Sequence, residues 1–343
     1  MTKVSVVILN WNGREFLERF LPSVTENTAG TGREVIVADN ASTDDSVEYL
    51  RKNFPGVRLI LLDRNYGFAE GYNRALMQLE SEYFLLLNSD VEVTPGWLDP
   101  LLNELESNPL IAGCAPKLLD YGNRDFFEYA GASGGYIDKF GYAFCRGRMF
   151  DSVETDYGQY NDLKDVFWVT GACMLVRAEL FKLTGGFDAG YFAHFEEIDL
   201  CWRLKNRGYR FLIVPESKVF HVGGGTLPAS DPWKTYLNYR NNIMTLYKNH
   251  DPSGLASAVI KRLMLDGISS LRYLSRFKLR DFLAVFRAHI AFYSRISELK
   301  KFRRSEKVFV KSYSHKEIYR GIAVRDYFIK NRKSFNSLNW KLK

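Results

Sequence analysis

Asp90 closes the run YFLLLNSD, Tyr83 to Asp90, in which the apolar residues Phe84 to Leu87 lead directly into Asn88, Ser89 and a carboxylate. A carboxylate at a strand end can hold a hard cation such as Mg2+, which keeps several waters and takes its other ligands from substrate phosphates. Its plainer role is to cap a turn or helix. Asp39 in EVIVADNASTDDS occupies the same kind of position, ahead of a capping cluster from Ser42 to Asp45, where it can accept a hydrogen bond from a nucleobase N–H. In HFEEIDLCWRLKNRGY, Glu196, Glu197 and Asp199 open a helix, and acids in a first turn complement its dipole. The preceding YFAHF, which contains His194, adds aromatic surface, and a carboxylate beside rings tends toward a raised pKa and general-base work. His221 in KVFHVGGGT is either structural or a metal ligand.

Two further stretches suit ligand contact. NYGFAEGYNRAL, Asn65 to Leu76, sets Gly67 and Gly71 around a helix start, with Asn73 behind them. Glycine lets a backbone approach a ligand, and a helix N-terminus favours phosphate, although the P-loop lysine and the GxGxxG spacing are missing. Trp168, Gly171 and Ala172 in FWVTGACMLVR either line a cavity or belong to the core.

These residues need a scaffold that gathers them. The first ninety residues alternate near-continuous Val/Ile/Leu runs (VSVVIL, EVIVAD, VRLILLD, YFLLLNSD) with helix-like segments, the signature of βαβ units and a parallel sheet covered on both faces. Ligands of such sheets sit beyond the carboxyl ends of the strands. Those ends carry Asn10 and Asn12, Asp39 and Ser42, Asp63 and Asn65, then Asn88, Ser89 and Asp90. After Thr94 comes a helix opening near Pro95, a polar excursion from Phe144 to Lys164, a strand leading into a helix, and FLIVPESKVFHVGGG as strand, turn, strand and glycine loop. Beyond Tyr247 helices take over. In DFLAVFRAHIAFYSRI, Phe282, Val285, Phe286, His289, Ile290, Tyr293 and Ile296 share one face, with Arg280, Arg287 and Arg295 opposite, a basic amphipathic helix that either packs on the body or lies on an anionic membrane surface.

The bulk numbers agree with a folded chain. Of 343 residues, 46% are apolar and 25% charged, which excludes a disordered protein. The six-residue apolar run after the N-terminus reads as a first strand and not as a signal peptide. No stretch reaches the roughly 18 uncharged apolar residues of a spanning helix. Four widely spaced cysteines without a CxxC pair point to reduced, buried thiols. The net charge of +7 is divided: residues 247–343 hold 23 Lys and Arg against 7 Asp and Glu, while the rest of the chain is acidic. Such asymmetry marks a surface for an anionic partner.

Taken together and in order, VSVVILNWNG, VIVADNASTDDS, NYGFAEGYNRAL, YFLLLNSDVEV, VTGACMLVR, GGFDAGYFAHFEEIDLCWRLKNRGY and VFHVGGGT resemble the inverting family 2 glycosyltransferases, in particular their bacterial rhamnosyltransferase-like branch. The resemblance covers roughly residues 1–245. It implies an α/β GT-A fold, a mainly parallel central sheet with helices on both faces, followed by a C-terminal helical extension. It implies a catalytic domain over 1–246 (a nucleotide-binding half, 1–93, and an acceptor-side half, 94–246) and a basic helical region over 247–343.

By the same resemblance Asp90 and His221 hold a divalent metal, Mg2+ or Mn2+. Asn10, Asn12, Asp39, Asn65, Gly67, Asn73, Asn88 and Ser89 contact the nucleotide-sugar donor, and Trp168, Gly171, Ala172 and His194 face the acceptor. Glu197 is the implied base, with Glu196 as the alternative, because the sequence reads Glu-Glu where the family has Glu-Asp. The implied acceptor is a saccharide or lipid-linked saccharide in cell-surface polysaccharide synthesis. The implied place is the inner face of the cytoplasmic membrane, bound through the basic region, with a homodimer open and no nucleic acid, since no such motif accompanies the basic residues. Two other readings are a nucleotidyltransferase of related fold, which would want a Gly-rich, Arg/Lys-bearing loop after the first strand where NWNGREF offers little of one, and a non-catalytic carbohydrate- or lipid-binding relative.

Overall fold

In a computed structural model that describes residues 2–223 and 231–340, the chain opens with four parallel strands: β1 (Thr2–Asn10), β2 (Arg33–Asp39), β3 (Arg58–Leu61) and β4 (Ser81–Asn88). Helices α1 (Arg14–Thr28), α2 (Ser46–Asn53) and α3 (Gly67–Leu76) connect them. α1 buries Leu17, Phe20, Leu21 and Val24, the i, i+3, i+4, i+7 stripe of a helix lying on a sheet. β4 buries Tyr83 to Leu87 on both faces, as a central strand must.

The second half adds β5 (Val91–Val93), α4 (Leu98–Ser107) and β6 (Ile111–Asp120). It continues with short strands β7 (Gly135–Asp138), β8 (Ala143–Cys145), β9 (Arg148–Met149), β10 (Ser152–Val153) and β11 (Lys164–Val166). Then come β12 (Cys173–Arg177), α5 (Ala178–Leu183), α6 (Glu196–Asn206) and β13 (Arg210–His221). Among the described residues the main sheet has nine strands in the order β11-β13-β6-β12-β4-β1-β2-β3, with β5 paired to β13. β12 runs antiparallel between β4 and β6, so the sheet is parallel in its first half and mixed beyond.

β13 is one strand where the sequence suggested two with a turn. A register shift between Val214 and Lys218 takes up Pro215, which has no N–H for the ladder, and pairing with β6 continues to His221. The excursion from Phe144 contributes to a second sheet, β10-β9-β8-β7, which a late strand, β14 (Ile318–Tyr319), completes beside β7.

The C-terminal region is built from α7 (Pro232–Asn249), α8 (Leu255–Ser275), α9 (Leu279–Ser294) and α10 (Ile296–Glu306), followed by β14 (Ile318–Tyr319) and α11 (Ala323–Phe328). Position 246 lies inside α7. The chain then returns to the body: β14 pairs in parallel with β7, and Phe335 and Trp340 pack on Tyr136 and Phe144. The four cysteines are buried and unpaired. Among the described residues no helix is long and apolar enough to cross a membrane.

Candidate active site

Asp90 sits in the turn between β4 and β5, and the pairing of His221 with Val91 carries the end of β13 to it. His221 Nε2 lies 3.0 Å from Asp90 Oδ1 and 3.3 Å from the Asn88 amide nitrogen. On the other side of the ring, Glu128 Oε1 is 3.2 Å from Nδ1, an ion contact without hydrogen-bond alignment. Burial alone would lower the His221 pKa, but the Glu128 and Asp90 carboxylates raise it to about 10. Burial likewise works to raise Asp90, yet His221 holds it below the ordinary carboxylate value.

The two carboxylates that flank His221 therefore favour its protonated ring. A divalent cation suits the same field of negative charge. Among the described residues no group of three or more His, Cys, Asp or Glu side chains is arranged around a metal position. Asp90 and His221 thus fit an ion that keeps waters and takes further ligands from substrate phosphates, as Mg2+ and Mn2+ do. Glu128 matches the carboxylate that orients a metal-binding histidine from behind. Its sequence context, DFFEYAG, carries no motif; only the fold brings it to His221. Of the glycine loop after His221, residues 224–230 lie outside the described residues.

A second cluster lies at the ends of β1 and β2. The Asn10 amide donates to Asp39 Oδ1 (3.0 Å) and Ser42 Oγ (3.1 Å), and the Ser42 hydroxyl and N–H both donate to Asp39. Asn12, at φ 50°, accepts from the Thr43 N–H at 2.7 Å. Asn40 ties this end to α3: its amide reaches Asn65 Oδ1 and Gly67 O, each at 3.0 Å. At the start of α3 the Phe68 and Ala69 N–H groups, which a phosphate would need, are taken by Phe192 O at 2.8 and 3.1 Å. Asn73 exchanges both ends of its amide with the backbone of Phe187, so it braces a loop.

That loop leads to Glu196 and Glu197. Phe192, His194 and Phe195 all have positive φ (65°, 70° and 74°), a conformation that costs a non-glycine residue energy and persists only where neighbours enforce it. α7 enforces it here. Asn241 donates to Tyr191 O, Ala193 O and His194 O, and Arg240 donates to Gly190 O and Tyr191 O. Asp199 is the anchor of α6: fully buried, it accepts from Arg203 Nε (2.9 Å), Lys248 Nζ (2.8 Å) and Asn249 Nδ2 (2.8 Å).

Glu196 is buried and Glu197 half-buried, and one carboxylate oxygen of each has no hydrogen-bond partner. Burial, then the neighbouring Glu197, raises Glu196 well above the ordinary range, and burial raises Glu197 to about 7. A carboxyl poised near neutrality with a free oxygen can take a proton from a hydroxyl. Burial pushes His194 down to about 4, so its neutral ring is a poor base.

Gly171 packs beside Glu197: a Cβ there would meet Phe68 at 3.1 Å and the Glu197 Cβ at 3.9 Å. Ala172 O accepts from Asn88 N at 2.9 Å, which ties β12 to the end of β4 next to Ser89. Trp168 is buried, with its indole N–H on Tyr136 O at 3.0 Å, and fills the space left by Gly135. Its side chain belongs to the core.

Residues 5–184 match the family model described as glycosyl transferase family 2. The chain is 29% identical over 234 residues to an N-acetylglucosaminyl-diphospho-decaprenol L-rhamnosyltransferase of Mycobacterium tuberculosis, covering 63% of this chain and 75% of that one. It is 27% identical to a rhamnosyltransferase of Escherichia coli, over 64% of this chain and 83% of the relative. Among solved structures, GalNAc-T7 with UDP, GalNAc and Mn2+ superposes with a TM-score of 0.66 at 17% identity, covering 100% of this chain and 58% of that one. A mannosyltransferase of Pyrobaculum calidifontis with GDP-Man and Mn2+ gives 0.53 at 14% identity, over 85% of this chain and 87% of that one.

Proposed function

The chain belongs to glycosyl transferase family 2 and has the GT-A fold, and from that premise we propose that it moves a sugar, by an inverting displacement, from a nucleotide-diphosphate donor to a saccharide or lipid-linked saccharide. Rhamnose on a dTDP carrier is the donor favoured by the relatives' names, with UDP-hexoses second. The observation that carries the reading is the unpartnered Glu197 oxygen, on a carboxyl held near neutral pKa, within a fold whose strand ends hold the Asp90–His221 pair.

In this scheme Glu197 accepts the proton of the acceptor hydroxyl as that oxygen attacks the anomeric carbon, and Glu196 keeps its own proton, which lowers repulsion within the pair. The Asp39, Asn10, Ser42 and Asn12 cluster positions the nucleoside, leaving Asn10 Oδ1, buried and without a partner, for a donor group. Asp90 and His221 would hold the divalent metal, oriented through Glu128. The ion would stabilise negative charge on the departing diphosphate. Gly171 leaves room beside Glu197 for the acceptor. We place the enzyme at the inner face of the cytoplasmic membrane, where lipid-linked acceptors reside.

The test is release of nucleoside diphosphate from a panel of nucleotide-sugars, with Mn2+ or Mg2+ and a polyprenyl-diphosphate saccharide acceptor. Metal-dependent transfer that is lost in Asp90→Ala supports the reading. A protein that binds nucleotide and metal yet turns over no donor would return it to the non-catalytic alternative.

A further inference from the structure

α8 and α9 form a helical hairpin joined by Arg276, Phe277 and Lys278 and packed on each other. The face that α8 turns outward is apolar: Ile260, Met264, Ile268 and Leu271 recur at helical spacing, and Met264 and Ile268 are each 65% exposed. α9 repeats the pattern with Leu283, Phe286 and Ile290. At the tip Phe277 is 96% exposed with φ 58°. The body-facing side of the hairpin is already satisfied. Arg262 and Asp266 pair at 2.8 Å, and Tyr142 donates to Asp266 at 3.0 Å.

Charge says what covers the outer face. The exposed charged residues of α8, the turn and α9 are Lys261, Arg272, Arg276, Lys278, Arg280 and Arg287, all cations. The two acids of this segment, Asp266 and Asp281, are both buried. An apolar ridge with a purely basic margin matches an interfacial element, whose side chains enter the headgroup boundary while Arg and Lys meet anionic lipid. A second copy of the hairpin would instead bring like charges together.

We propose that the α8–α9 hairpin is the surface by which this chain lies on an anionic bilayer, with Phe277 at its leading tip. The placement also orients the active site. Thr235 near the start of α7 donates to Asp281 of α9 at 2.6 Å, and neighbouring Trp233 packs edge-on to Phe192, in the loop that carries the base. The hairpin is thus rigidly joined to the acceptor side of the site, as a transferase working on a lipid-borne acceptor requires. The orientation rests on the proposed function; the docking surface does not.

The test is co-sedimentation of the full chain with phosphatidylcholine vesicles and with vesicles that also contain phosphatidylglycerol, for wild type, I268E/F277E and the charge variant R276Q/K278Q/R280Q. Wild type should sediment with the anionic vesicles and not with neutral ones. The apolar-to-acidic variant should bind at least about tenfold more weakly, and the charge variant should lose the anionic preference.

Circular dichroism and transfer to a water-soluble acceptor, both unchanged, would show that the variants fold. Binding that ignores lipid charge, or survives both variants, overturns the proposal. So does a wild-type dimer that I268E/F277E dissolves while vesicles bind neither form, which would make the face a self-interface. Vesicle binding through the hairpin without any sugar transfer would sink the transferase reading and leave the surface standing.

Discussion

As the proposed base, Glu197 must lose its proton before it can take one. With its pKa near 7, the rate of transfer should rise as pH climbs through about 7, and Glu197→Gln should abolish that limb while lowering kcat by about 10²–10⁴-fold. The sign for stability is opposite. Because the folded pKa lies above the ordinary 4.5, the folded state favours the neutral acid; this contribution is complete below about 4.5 and is lost as pH rises through about 7. Glu197→Gln keeps it at every pH, so its stability advantage over wild type, read by denaturant melts, should grow between about pH 5 and about pH 8, by about 1–2 kcal/mol for a half-buried group. Glu128→Gln tests the histidine's support: Mn2+ affinity, read by calorimetry, should fall about 10–100-fold with the fold intact. The sequence named Asp90, His221 and Glu197 as candidates through a resemblance, and the fold brings the first two within 3.0 Å of each other. Glu128 was not legible there, because its meaning depends on a loop meeting a strand almost a hundred residues away.

Among elements, the joint between α3 and the Phe192–Phe195 loop is closely fitted. Gly67 has φ 74°, and a Cβ on it would fall 2.5 Å from the Phe192 ring. Gly67→Ala should therefore cost about 1–2 kcal/mol for the backbone alone and also shift the loop that holds the base, which denaturant melts and kcat would report together. The tie between α6 and α7 is electrostatic: Lys248 lies fully buried between Asp188 and Asp199. Lys248→Met leaves Asp188 without its ion pair and Asp199 paired with Arg203 alone, and should destabilise by about 3 kcal/mol.

Strands were readable from their Val/Ile/Leu runs, but the buried face of α9 was not. The body takes Ala284, Val285, Ala288 and Phe292, while Phe286, Ile290 and Tyr293 are exposed. Periodicity found an apolar helix and left open whether its large apolar side chains meet the body or a membrane; the alanines, which allow close helix contact, mark the face that the body takes.

At the scale of the whole chain, the final segment closes the second sheet. Phe335 is nearly buried among Tyr136, Phe144 and Tyr160, and its N–H donates to Glu154 at 3.0 Å. Phe335→Ala should cost about 3 kcal/mol in thermal or urea unfolding, far more than a surface change in a tail. The sequence showed a basic region after residue 246 but could not show that its end returns to the body, since one short strand and scattered aromatics leave no periodic trace.

The bond from Lys248 to Asp199 also sets an order of events during synthesis. Asp90, Glu197 and His221 leave the ribosome before the lysine, and with it Arg240 and Asn241, that hold the base's loop in its strained shape. A nascent chain that ends before Lys248 carries Asp90, Glu197 and His221 yet lacks this clamp. Under the proposed function, transfer therefore waits until the protein's own helical region has been made, and the helices that would bring it to a membrane are completed only after that.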